Sequence, residues 1–111
     1  MNDLSIIGRK VRVIANEFIQ TDLSAHIIYA SETEKKLLLE MDTPIILSGM
    51  TYTHAVASPR LAKDDLDTLI ESGALGCSVT WVSKDRFDRN KPFDLSWWRG
   101  GAVAVTDVIL E

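Results

Sequence analysis

His26, His54 and Cys77 are the side chains of this chain best suited to nucleophilic or metal chemistry. Neither histidine forms a ligand pair at i, i+3 or i, i+4, and Cys77 is the single cysteine, so no zinc pattern exists and no metal is expected. Asp64, Asp65 and Asp67 lack the glycine and the twelfth-position glutamate of a calcium loop, and read as acids at a helix start. The stretch Gly73-Ala74-Leu75-Gly76 has no Lys-Ser/Thr to hold a phosphate, and no cofactor is expected. Cys77 falls on the inward face of an alternating segment, where a free thiol behaves as a small hydrophobe.

His54 is the weak catalytic candidate. The alternation Met50, Tyr52, His54, Val56 places it on an apolar face, where an imidazole must be hydrogen-bonded or line a cleft. A cleft converging on it, with Cys77 or a serine across the sheet, would make it a general acid–base in a small enzyme or a ligand-contacting residue. The plainer reading is a packed, satisfied histidine. His26, at the start of a strand, reads as surface.

Residues 83–100 are the strongest anomaly. The segment holds Phe87, Phe93, Trp97 and Trp98, half of the eight aromatic residues in the chain. It also holds Lys84, Arg86, Arg89, Lys91 and Arg99 against Asp85, Asp88 and Asp94, a local excess of two positive charges in a chain of net charge -4. Connections between paired strands usually run to about 2–5 residues, and longer ones are commonly functional. Trp, Phe and Arg are the residues from which binding hot spots are made. Arg86, Phe87, Arg89, Phe93, Trp97, Trp98 and Arg99 are therefore the expected binding residues. The competing reading folds these rings back as a lid on the core and pairs the charges locally. Trp97 and Trp98 admit both, since neighbours in an extended segment point to opposite sides.

The elements that must position these groups follow from the hydrophobic pattern. Lys10–Ala15 alternates Val11, Val13 and Ala15 with Lys10 and Arg12, the signature of a half-buried strand behind Gly8. Its pattern runs on through Phe18 and Ile19 to a break at Gln20-Thr21-Asp22. Residues 25–30 read as a second strand, and a polar turn at 31–34 leads into a returning arm at 36–41, for which the Leu-rich composition makes a short helix the rival reading. Asp42-Thr43-Pro44 reads as punctuation, followed by a long strand over 45–57 bent at Gly49. Ser58 and Pro59 suit the start of the one amphipathic helix, about 59–72, with Gly73 as its stop and a start near Asp64 as the alternative. Residues 77–82, with Cys77, Val79 and Trp81 facing in, and 102–110 complete the set as two paired strands. Runs of strands without strand–helix alternation imply antiparallel pairing. The expected fold is α+β and mainly β: a small curved antiparallel sheet, or a partly open SH3-like or OB-like barrel of five to six strands with one helix.

With 111 residues, 46% hydrophobic and 25% charged, residues 1–111 are expected to form a single domain. No apolar run approaches the ~20 residues of a membrane-spanning helix, and Met1–Ser5 shows no leader pattern. One cysteine suits a reducing, cytoplasmic setting. The body outside 83–100 is acidic, which disfavours general nucleic-acid binding. The first expectation is a non-catalytic protein-binding module, an inhibitor or immunity-type neutralising partner in its sharpest form, contacting another protein through 83–100. A small-barrel nucleic-acid binder using stacked aromatics ranks next, then the small enzyme or ligand binder centred on His54. Homo-oligomerisation is compatible with all three.

Overall fold

The structure, a computed structural model, describes residues 6–15, 21–47, 49–85, 87–91 and 103–111. Six strands close into an antiparallel barrel: β1 (Lys10–Ala15), β2 (Thr21–Ser31), β3 (Lys36–Leu47), β4 (Met50–Pro59), β5 (Ala74–Ser83) and β6 (Val103–Leu110). Each strand pairs with the next in sequence, and β1 pairs with β6 through Val11↔Leu110 to Ala15↔Thr106. The barrel is thus fully closed rather than partly open, in an up-and-down order. One helix, α1 (Leu66–Ser72), lies between β4 and β5.

Strand alternation divides the residues between two apolar clusters. Val11 and Val13, Ala25 and Ile27, Leu37, Leu39 and Met41, Ala55 and Ala57, Cys77, Val79 and Trp81, and Val108 fill the interior. A barrel this small is filled by its own side chains. Leu66 and Leu69 of α1 join the same cluster. The intervening positions Leu38, Val56 and Val82 are also buried, on the outer wall, where Ile28, Tyr29 and Phe87 pack against them. That second cluster lies near the start of the β5–β6 connection.

Four local expectations need correction. Thr21 and Asp22 belong to β2 and do not break a strand. Asp42-Thr43-Pro44 lies inside β3, where the ladder to β4 is interrupted between Glu40 and Ile45, so the missing proline N–H costs no pairing there. Gly49 closes the turn between β3 and β4 at φ 79°, a left-handed conformation glycine adopts freely, so residues 45–57 are parts of two strands. The helix starts at Leu66, not near 59, because Ser58 and Pro59 complete β4 against Ser78 and Cys77. Asp65 is its N-cap: its carboxylate accepts from the Thr68 N–H while the Thr68 hydroxyl accepts from the Asp65 N–H. Gly73, at φ 80°, ends it as expected.

Candidate functional site

His54 does not share a face with Tyr52. A register shift between Tyr52 and His54 in the β4–β5 ladder resets the alternation. Tyr52 turns into the barrel interior, while His54 and Val56 face the outer wall. Across the sheet His54 stands opposite Glu40 on β3 and Val82 on β5. Its ring is nonetheless only 7% exposed, because Phe87 lies flat on it, with ring centroids 3.6 Å apart and planes 4° from parallel.

Two further side chains define the ring. The Thr53 hydroxyl is 2.8 Å from His54 Nδ1 and shares a hydrogen bond with it, the hydroxyl able to donate or accept according to the ring tautomer. Nε2 points toward Glu40 Oε2 at 3.5 Å, within ion-pair reach but too long for a good hydrogen bond. Burial pushes the His54 pKa below its ordinary value, against the opposing pull of Glu40 and with help from the positive charge of Arg89. Desolvation of the imidazolium thus outweighs a carboxylate that is itself half exposed.

Phe87 is held by its own segment. Lys84 N–H donates to Thr51 O at 2.9 Å and Phe87 N–H to Ser83 O at 3.2 Å, so the chain leaves β5 in a tight turn over the outer wall. Asp88 then accepts twice, from Asn90 N–H at its carboxylate (2.9 Å) and from Lys91 N–H at its carbonyl (3.0 Å). Arg89, Asn90 and Lys91 are left exposed on this second turn. Of the expected binding residues, Phe87 and Arg89 are therefore brought beside His54. Arg86, Phe93, Trp97, Trp98 and Arg99 lie outside the described residues.

The remaining chemical candidates stay apart. Cys77 faces the interior between Pro59 and Thr106, and burial raises its thiol pKa to about 12, where no reactive thiolate forms. Both histidines project from the outer wall, so neither meets it. His26 is a surface residue whose Nδ1 lies 2.7 Å from Asp42 Oδ1. Among the described residues no three His, Cys, Asp or Glu side chains gather as a metal site. Two polar grooves, of about 220 Å³ beside Glu32, Lys35 and Asp65 and about 290 Å³ beside Thr51, Ser83 and Lys84, are lined without His54.

Sequence reasoning missed Glu40 and Thr53 as partners of His54. Thr53 could have been found as a hydroxyl neighbour, whereas Glu40 depends on strand register. Among the described residues no helix is long and apolar enough to cross a membrane. Comparison with known protein families, with curated proteins and with solved structures finds no match for this chain.

Proposed function

We propose that this chain is a non-catalytic protein-binding module that contacts another protein through the β5–β6 connection, residues 83–100. The reading rests on one observation: the root of that connection is anchored, with Phe87 stacked on His54, while Arg89 and Lys91 project from the Asp88 turn into solvent. A rooted segment with exposed cationic side chains loses little entropy on binding, which favours recognition. An inhibitor or immunity-type role, masking an acidic site on another protein, is the sharpest form of this reading. A cytoplasmic setting belongs to the same proposal, supported by the buried free thiol of Cys77.

The test compares the wild-type chain with the double variant Arg89→Glu/Lys91→Glu as baits in native cell extract, with bound proteins quantified by mass spectrometry. A specific protein retained by the wild type should be reduced at least ~10-fold on the variant, with an unchanged melting temperature. Equal retention by both baits removes 83–100 as the contact surface. Oligonucleotide binding with a steep salt dependence would instead establish the nucleic-acid reading.

A further inference from the structure

We propose that the His54–Phe87 stack is a proton-operated latch: neutral His54 holds the start of the β5–β6 connection on the barrel wall, and protonated His54 releases it. The inference concerns the chain itself and stands whether or not 83–100 binds a partner.

The geometry makes the two protonation states unequal. Neutral His54 lies flat beneath Phe87, and its Nδ1 is satisfied by Thr53. Nε2 has no hydrogen-bond partner among the described residues, with the Glu40 carboxylate 3.5 Å away. A cation at this ring would need several well-aligned acceptors or water, and Phe87 lies flat over one face of the ring. Both ring nitrogens of the cation are donors, and only the Thr53 hydroxyl at Nδ1 lies within good hydrogen-bond distance among the described residues.

Among the described residues the charged groups around the ring are few. From β3, Glu40 favours the cation, and on its far side His26 and Asp42 are already bonded to each other. From β5 the facing residue is Val82, with Lys84 two positions further on. The connection carries Asp85 and Asp88 in sequence beside Phe87, and its Arg89 charge acts on the ring and opposes a second cation. One exposed, flexible carboxylate does not offset the burial. Lifting Phe87 does, because it returns the ring to water. The latch opens at the expense of the packing of Phe87 against the outer cluster of Leu38, Val56 and Val82.

The experiment is a pH titration from 8 to 5 of the isotope-labelled full chain by NMR. It follows the His54 imidazole carbon shifts together with the ring-to-ring cross-relaxation between His54 and Phe87. The cross-relaxation should be present at pH 7.5 and should fade with the same midpoint, below about 6.5, as His54 takes up its proton. In Phe87→Ala the His54 midpoint should rise toward about 6.5, the value of a solvated imidazole. In His54→Phe the stacking of the two rings should persist down to pH 5. Three results would each overturn the latch. They are a stack that survives full protonation of His54, an unmoved His54 midpoint in Phe87→Ala, and a stack that opens on acidification even in His54→Phe. If His54→Phe does not fold, the wild-type titration and Phe87→Ala still decide the matter.

Discussion

At the scale of single residues, Trp81 anchors the interior. Among the described residues it is the largest fully buried side chain, on the inward face of β5 beside Cys77 and Val79, as the alternation of 77–82 predicts. Trp81→Ala should cost about 3–5 kcal/mol, measured by chemical denaturation, because a closed barrel can collapse only partly around so large a void. His54 was legible as an unusual imidazole, but its surroundings were not. Whether it faced Tyr52 or turned away depended on a register shift, a property of how two strands align. Its ring partner lies thirty-three positions along the chain, in a segment whose path no periodicity reports.

At the scale of elements, the strands with clean alternation were readable. Lys10–Ala15 is β1, its expected continuation through Phe18 and Ile19 lying outside the described residues, and the segments at 77–82 and 103–110 match β5 and β6. Three of the four elements that went astray turned on Pro or Gly, and the fourth on the polar pair Thr21-Asp22, which opens β2. Gly49 fits a bulge and a chain-reversing turn equally well in sequence, and only pairing of Leu47 with Met50 separates the two. Pro59 fits the first turn of a helix and the end of a strand. The capping box was present in the letters Asp65-Leu66-Asp67-Thr68, but Ser58-Pro59 offered a competing start. With seven residues, α1 is too short to persist alone and depends on its caps and on Leu66 and Leu69. Asp65→Ala should therefore lower stability by about 1 kcal/mol in a denaturant titration. Asp65→Asn should lose less, since an amide oxygen still accepts from the Thr68 N–H.

At the scale of the whole molecule, His54 ties stability to pH. Its pKa is lowered in the folded chain and ordinary in the unfolded one, so the unfolded chain binds more protons in the interval between the two values. The stabilisation is complete above about 6.5 and is lost progressively as pH falls through that interval. Denaturation at pH 7.5 and pH 5.5 should show a larger loss for the wild type than for His54→Gln. Equal losses would mean that other groups govern this range.

Closure of the barrel limits how any partner can attach. Every strand from β1 to β6 pairs with a neighbour on both sides, so no strand of the barrel is an edge along its whole length. Recognition by strand addition, in which main-chain bonds provide affinity and side chains only tune it, has no full-length edge strand to use on this wall. Affinity here has to come from side chains and turns, and it should change with single surface substitutions in a way that a backbone-zippered complex would not. The same closure removes the templating edge from which β-rich proteins polymerise, so chains held at high concentration should stay free of fibrils while the β1–β6 seam remains shut.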